Sequence, residues 1–303
     1  MTGTAPAIAD DALARFTRTA EAASADVIRA YSTSFGLATR LLGARHRQHV
    51  RNIYAMVRVA DEIVDGVAAA AGLDPQAQSE ALAGYVDDTH RAMSQGYSSN
   101  IVLHAFARTA REAGIDETLT QPFFDSMAAD LDGAEEPRHL KSYDAEQHRR
   151  YVFGSAEVVG LMCLRVFLRA ERPGPADLAS MEHGARQLGA AFQNVNFLRD
   201  LTDDTERLHR DYLGGAGRLT DSGRDAWVET VRGQLADARR TIPLLPRDCR
   251  AAVRTAHDLF EALTRRVERT PAEALCRERV RVPDTLKAAL ALRAVLATAG
   301  RPS

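Results

Sequence analysis

RNIYAMVRVADEIVDG, residues 51–66, carries two helical periodicities at once. Ile53, Met56, Val57, Ala60 and Ile63 or Val64 recur at the i, i+3, i+4, i+7 spacing of a helix face that packs into a core. Tyr54, Arg58, Asp61 and Asp65 are separated by 4, 3 and 4 residues. At about 100° per residue they fall on a second, narrow stripe, so a tyrosine, a cation and two carboxylates share one face. Taken alone, this stripe also fits a surface ion pair between Arg58 and Asp61, worth about 0.2–0.5 kcal/mol, with Asp65 solvated. Aspartate is a weak helix former, however, and two of them inside a helical pattern carry a small cost that a function would explain.

A second acidic row lies at LGAAFQNVNFLRDLTDD, residues 188–204. Phe192, Val195 and Leu198 or Phe197 supply core positions, while Asn196, Asp200 and Asp204 repeat at every fourth residue. Gln193 lies one turn before the row, Arg199 immediately precedes Asp200, and Asp203 adds charge beside it. Aligned oxygen donors of this kind suit a hard cation such as Mg²⁺, which takes few carboxylates and completes its shell with water and substrate phosphates. No HExxH helix and no paired ExxH motif is present, so zincin and ferritin-like readings fall away. His183 and His209 have no partners at metal-ligand spacing and read as surface or capping residues.

Outward from these two segments, apolar residues keep helical spacing nearly everywhere, from Leu13, Phe16, Ala20, Ala23 and Val27 onward, and alternation over strand length is hard to find. The fold class expected is all-α: a single-domain helical bundle over residues 1–303, with Asp10 or Asp11 capping the first helix and residues 1–10 disordered. Breaks are expected at Gly43, Gly72, Gly114, Gly133–Pro137, the Arg-Pro-Gly-Pro run 172–175, and Gly214–Gly223. Each is short and flanked by amphipathic segments that need a shared core.

Composition limits the function classes. Of 303 residues 26% are charged and the net charge is -2, which is not the basic footprint of a nucleic-acid binder. Of the 39 basic residues, only Lys141 and Lys287 are lysines. Three cysteines, Cys163, Cys249 and Cys276, lie far apart without a CxxC pattern. They argue against a disulfide framework or a zinc site and for a reducing cytosol. Neither a signal peptide nor an uninterrupted apolar span is indicated.

Four motifs in order, YSTSFGLATRLL (31–42), RNIYAMVRVADEIVDG (51–66), YVFGSAEVVGLMCL (151–164) and LGAAFQNVNFLRDLTDD (188–204), resemble the squalene and phytoene synthase family. The likeness runs from about Tyr31 to about Leu213 and is more similar to actinobacterial phytoene synthases than to eukaryotic squalene synthases. It implies an isoprenoid-synthase-type bundle around a central cavity, with both acidic rows facing each other at its mouth. By resemblance, Asp61, Asp65, Asn196, Asp200 and Asp204 hold Mg²⁺, with Mn²⁺ as a substitute. Asp61, Asp65, Asp200 and Asp204 thereby serve catalysis. Arg58 and Ser34 match diphosphate contacts, and Phe35, Tyr54, Gln193, Arg199 and Tyr212 match further pocket positions. Tyr151 matches a tyrosine that assists proton movement, although a buried structural tyrosine would also fit. Aspartates with an ordinary pKa of about 3.9 are all ionised at neutral pH. Metal ions bridging to diphosphates would relieve their repulsion, leaving Arg58 and Arg199 as anion contacts.

The chemistry so implied joins two prenyl diphosphates head to head through a cyclopropylcarbinyl diphosphate. No G-x-G-x-x-G follows a strand, so no nicotinamide cofactor is expected. Thr39, small where some C15-using relatives carry a bulky aromatic, favours geranylgeranyl diphosphate and phytoene over farnesyl diphosphate and squalene or dehydrosqualene. The rivals are a repurposed terpene-forming relative and, in another class, a non-catalytic helical protein that binds prenyl lipids or a partner. A cytoplasmic protein touching membrane only at its periphery is expected, since a hydrocarbon product must leave into lipid.

Three positions depart from the family pattern. Glu157 stands where many relatives have glycine or alanine; six residues beyond Tyr151, it is expected about 120° around the helix, outside the same pocket. Thr33 stands where some relatives carry a basic phosphate contact, so that ligand is missing or supplied elsewhere. Arg210-Asp211-Tyr212-Leu213-Gly214-Gly215 resembles an arginine and tyrosine flap without its usual proline, and a looser flap is expected.

Overall fold

In the computed structural model the described residues are 5–132, 140–214, 219–277 and 279–299. Helices dominate in the order α1 (Ala5–Tyr31), α2 (Thr33–Arg40), α3 (Ala44–Val64), α4 (Val67–Ala70), α5 (Pro75–Gln95), α6 (Ile101–Ala113) and α7 (Glu117–Leu131). Then follow α8 (Ala145–Val152), α9 (Val158–Leu168), α10 (Pro175–Arg199), α11 (Asp221–Thr241), α12 (Arg247–Glu268), α13 (Ala272–Leu275) and α14 (Asp284–Ala299). Two short strands, β1 (Lys141–Ser142) and β2 (Arg210–Asp211), pair in parallel with Lys141 opposite Arg210.

The helix starts follow from short polar side chains that accept the free amides of the first turn. Asp74 caps α5 ahead of Pro75, Asn100 caps α6, and Asp116 caps α7. Asp144 and Gln147 form a reciprocal capping box on α8. Three sequence expectations need correction. Residues 5–10 are helical, because the alanine-rich run there has high helix propensity; Asp10 and Asp11 therefore lie inside α1 instead of capping it. Gly223 sits in the first turn of α11, where its amide donates to the Thr220 cap. Residues 133–137 lie outside the described residues.

The larger core groups Ile53, Met56, Leu103, Phe106, Phe123, Phe124, Val158 and Met162, uniting α3, α6, α7 and α9. A second apolar cluster, with Val195, Leu198, Val231, Leu259, Leu263 and Val267, unites α10, α11 and α12. Between them α9 and α10 approach closely at glycine: a Cβ on Gly160 would lie 2.5 Å from the Ala185 carbonyl oxygen. Ala145–Leu168, the α8 to α9 run, is long and apolar enough to cross a membrane by length and composition. Here it is a core element, with Val152, Val158, Met162, Leu164 and Val166 buried. It contains a wide turn at Phe153–Glu157, where the Val158 amide bonds the Phe153 carbonyl five residues back.

The α11, α12 and α14 layer is held by Asp258, which is 1% exposed. Its carboxylate accepts from His257 Nδ1 and Arg254 Nε at 2.9 Å and from Arg293 Nη2 at 2.8 Å. His257 Nε2 meanwhile bonds the Leu235 carbonyl at 3.0 Å. With its acceptors occupied, the His257, Asp258 and Glu261 group is a structural clasp and not a metal centre. Burial pushes Asp258 up, but the bonds from His257, Arg293 and Arg254 outweigh it and hold the carboxyl well below its ordinary range. A depressed carboxylate contributes stability above its unfolded value, about 3.9, and loses it as pH falls. Asp258→Asn is expected to cost about 3 kcal/mol at neutral pH, read from the urea midpoint, with the gap to wild type shrinking below about pH 4. An equal gap at pH 7 and pH 3 would contradict the assignment.

Candidate active site

A cavity of about 1000 Å³ runs between the two halves of the core. Its shape follows from α3 and α10, which both run toward the same mouth. Met181, Gly184, Ala185 and Leu188 line its apolar depth, and Gln193, Asn196 and Asp200 its polar end. Met181 and Asn196 stand about 22 Å apart along the helix at a rise of about 1.5 Å per residue. On α3 the same order holds, from Val50 and Ile53 to Arg58, Asp61 and Asp65. The described cavity wall contains every site residue expected from sequence: Ser34, Phe35, Tyr54, Arg58, Asp61, Asp65, Tyr151, Gln193, Asn196, Arg199, Asp200, Asp204 and Tyr212.

Both acidic rows sit at helix C-termini. Asp65 is the C-cap residue just after α3 and Asp200 that just after α10, where the helix dipole already presents negative charge. Beyond Asp200 the chain makes a second wide turn, Asp203–Arg207, in which Leu208 bonds Asp203. Burial first, and the neighbouring Asp65 second, push Asp61 up to about 8. Burial and Asp200 do the same to Asp204, also to about 8. The field at this end therefore resists further ionisation.

Protein cations meet part of that field. Arg210, 6% exposed, donates to Asp65 Oδ1 at 2.9 Å and to the Val64 carbonyl at 3.2 Å. Arg207 donates to the Asp65 carbonyl at 2.9 Å. Arg199 forks onto Asp200, and Arg279 Nε lies 2.7 Å from Asp200 Oδ1. Arg58 pairs with Glu62, stands 3.9 Å from Asp61 and covers the Tyr31 ring at 4.5 Å. Arg58 and Arg199, expected as anion contacts, are thus paired with carboxylates, because the crowded acids draw the nearest guanidinium groups.

The donor set fits a hard divalent cation. The buried Asn196 Oδ1 has no hydrogen-bond partner, and it lies one turn from Asp200 in the second row. Among the described residues, no three carboxylates of the two rows bring their oxygens within 4.8 Å of one another. Mg²⁺ takes few protein carboxylates and keeps water and phosphate oxygens in its shell. Asp61 and Asp65 on one side, and Asn196, Asp200 and Asp204 on the other, are the residues that would hold it.

The departures also find positions. Glu157 bonds Arg186 Nε at 2.7 Å and is not part of the cavity wall. The Thr33 hydroxyl accepts from Lys287 Nζ at 2.9 Å, so α14 brings an ammonium beside the position that lacks a cation. The Arg210–Gly214 stretch is tied down by β1 pairing, the Arg210 bonds and a Gly214 amide bond to Asp211, instead of being loose. Gly215 lies outside the described residues. His183 is exposed and 3.1 Å from Asp237, as a surface residue should be.

Sequence reading missed Asp130, Arg279 and Lys287, and named Arg210 only as part of the flap. Asp130 had a signal: it follows Phe123 and Met127 on the buried stripe of α7, where a charge needs a reason. Arg279 and Lys287 had none, because only the fold brings their segment to the mouth.

With that geometry in place, the relatives can be compared. The squalene/phytoene synthase family profile matches residues 28–285. The chain belongs to the squalene/phytoene synthase family. It is 31% identical to phytoene synthase 3 of Zea mays over 71% of this chain and 49% of the maize protein, so it spans about half of that relative's length. It is 27% identical to the 15-cis-phytoene synthase of Enterobacter agglomerans over 80% of this chain and 84% of that protein. A dehydrosqualene synthase crystal structure superposes with a TM-score of 0.69 at 20% identity, covering 94% of this chain and 98% of that one. At that identity the likeness concerns the family fold alone.

Adding Mg²⁺ together with inorganic diphosphate should raise the melting temperature well beyond either alone, since each completes the other's coordination. At 100 times the dissociation constant the stabilisation is about 2.7 kcal/mol, measurable by scanning calorimetry. An equal shift with Mg²⁺ alone would contradict a shared site.

Proposed function

We propose that this protein joins two prenyl diphosphates head to head, taking two geranylgeranyl diphosphates to phytoene through a cyclopropylcarbinyl diphosphate. The observation that carries this reading is the joining of two acidic helix ends, fringed by arginines, to an apolar cavity of about 1000 Å³. That volume is at the upper end of the roughly 300–1,000 Å³ of ordinary ligand pockets, as two long tails require. The names of the phytoene and 4,4′-diapophytoene synthase relatives support the same class of reaction.

Asp61, Asp65, Asn196, Asp200 and Asp204 would hold Mg²⁺, which supplies Lewis-acid charge to the leaving diphosphates. Arg58, Arg199 and Arg279 are close enough to exchange a carboxylate partner for diphosphate oxygen, and Ser34 offers a hydroxyl at the same end. Lys287 supplies the cation absent at position 33. Gln193 and Tyr54 border the head-group end. Phe35 packs edge-on to Phe192 at 5.6 Å, giving an aromatic wall that excludes water from an allylic cation. No residue pattern calls for a nicotinamide, in keeping with a product formed by proton loss.

For tail length, Thr39 borders the cavity, and its hydroxyl is occupied by the Phe35 carbonyl at 2.7 Å. Its small methyl leaves room that an aromatic would fill, which favours C20 over C15 substrates. One cytoplasmic domain with peripheral membrane contact goes with this reading, because the product is an apolar hydrocarbon. Leu286, Leu292 and Leu296 on exposed positions of α14 agree with such contact.

Incubation with C10, C15 or C20 diphosphates and Mg²⁺, followed by mass spectrometry, is expected to give phytoene from the C20 substrate. Squalene or dehydrosqualene alone would move the assignment to the C30 reading, and no coupled product from any substrate would remove the enzymatic one. Asp61→Ala and Asp200→Ala should each lower kcat by at least about 10²-fold. Lys287→Ala should raise KM by about tenfold with kcat little changed, the pattern of a contact present equally in ground and transition states. Thr39→Phe should shift the preference from C20 toward C15, read from kcat/KM for the two substrates; an unchanged ratio would remove Thr39 from the length-setting wall.

A further inference from the structure

Behind Tyr151 the cavity wall holds a carboxylate that no motif announced. Asp130, near the end of α7, has a side chain only 2% exposed. Its two oxygens accept from two different phenols, Oδ2 from Tyr151 at 2.7 Å and Oδ1 from Tyr212 at 2.8 Å. Arg210 Nη1 stands 3.6 Å from Oδ2, and Nη2 donates to the Asp130 carbonyl at 3.1 Å. The Tyr143 ring packs 5.5 Å from that of Tyr151 and 4.9 Å from that of Tyr212. All three tyrosines are buried, so the carboxylate sits in a closed aromatic box with one side on the cavity.

The direction of these bonds decides what Tyr151 offers. Its single phenolic proton is committed to Asp130, so toward the cavity the hydroxyl oxygen presents lone pairs. While Asp130 is ionised, such a phenol can accept a proton from the cavity but has none free to give to it. Burial pushes Tyr151 and Tyr212 well above the ordinary phenol range, so neither serves as a free phenolate. A proton arriving at Tyr151 must therefore displace the one it already carries; among the described residues its hydroxyl meets Asp130 and, at 3.3 Å, the Tyr212 hydroxyl, and of these only the carboxylate can take that proton. Burial also raises Asp130, to about 6, while Arg210 and the two phenol bonds oppose the rise. At that value the group is mostly ionised at neutral pH, yet basic enough to hold a proton in passing.

Resting on the head-to-head reading, we propose that Asp130 is the positioning residue that makes Tyr151 the proton acceptor of the coupling step. As the cyclopropane closes, the C–H electron pair of the prenyl cation becomes the new ring C–C bond, and the proton passes to Tyr151 Oη. The original phenolic proton moves in the same event to Asp130 Oδ2. The cation and the carboxylate are both neutralised, Tyr151 ends unchanged, and the proton on Asp130 returns through Tyr151 to the released diphosphate. Arg210, shared between Asp130 and Asp65, offsets the charge before the transfer and retains Asp65 as a partner after it.

The test uses full-length enzyme with Mg²⁺ and prenyl diphosphate, comparing Asp130→Asn, Tyr151→Phe and the double variant. The readouts are kcat, KM and the partition between coupled product and prenyl alcohol. Asp130→Asn should lower kcat by about 10²-fold, leave KM within about threefold and raise the alcohol share, because the cation survives long enough to meet water. Tyr151→Phe should do the same, and the double variant should be no slower than the worse single, since both remove one path. Losses that multiply in the double variant, or Asp130→Asn retaining kcat within threefold of wild type, would overturn the proposal. Should Asp130→Asn not fold, Tyr151→Phe decides: unchanged kcat overturns it, and loss with more alcohol supports it. Absence of coupled product from wild type would instead overturn the head-to-head reading itself.

Discussion

Negative charge is concentrated where two helices already end in negative dipole, and the rest of the site is organised around that conflict. Asp65 and Asp200 close α3 and α10, at the ends where a cation would be favoured and a carboxylate is not. Burial adds to the cost, so Asp61 and Asp204 are both held near 8. Isolated, these groups would lower stability by mutual repulsion. They are tolerable because Arg207 and Arg210 reach the end of α3 while Arg199 and Arg279 reach Asp200. Arg210, Arg199 and Arg279 bring cation charge to the Asp65 and Asp200 carboxylates, and Arg207 brings it to the Asp65 carbonyl beside them.

That conflict also explains the small sheet. β1 and β2 are two residues each, too short to matter as a sheet. Their pairing fixes Arg210 at a set depth, from which one guanidinium group touches Asp65, the end of α3 and the end of α7. One buried arginine thereby joins the first acidic row to the Asp130 box. The flap lacks a proline, but its described part is held by the Arg210 ion pair and the strand bonds.

The helical class and the acidic rows were legible because both are local. Ile53, Met56, Ala60 and Val64 are buried as the 3.6-residue period requires, and the same arithmetic places Asn196 and Asp200, whereas Asp204 lies in the wide turn beyond α10. What could not be read was anything assembled across distance. Lys287 meets Thr33 across 254 residues, and Arg279 meets Asp200 across 79. Sequence spacing carries no trace of either pair. Asp130 is the intermediate case: its place on the stripe of Phe123 and Met127 marks it as buried, but only the fold reveals two phenols and an arginine around it. The start of α1 failed for a different reason, since polar residues at 10 and 11 outweighed, on paper, the helix propensity of the alanines before them.

The depth of the cavity belongs to this long-range class, and so does any choice of tail length. Its apolar end is built by Leu42 after α2, Phe167 on α9, Met181 on α10, Leu245 before α12 and Ala252 within it. Five segments therefore share one wall, so its reach depends on how all five pack together. The head-group end is rigidly specified by charge and cannot sense the length of what lies behind it. On the proposed reading, selection between C15 and C20 chains would reside in the apolar wall, at positions such as Thr39, where a ring in place of a methyl would shorten the space without touching a charged contact.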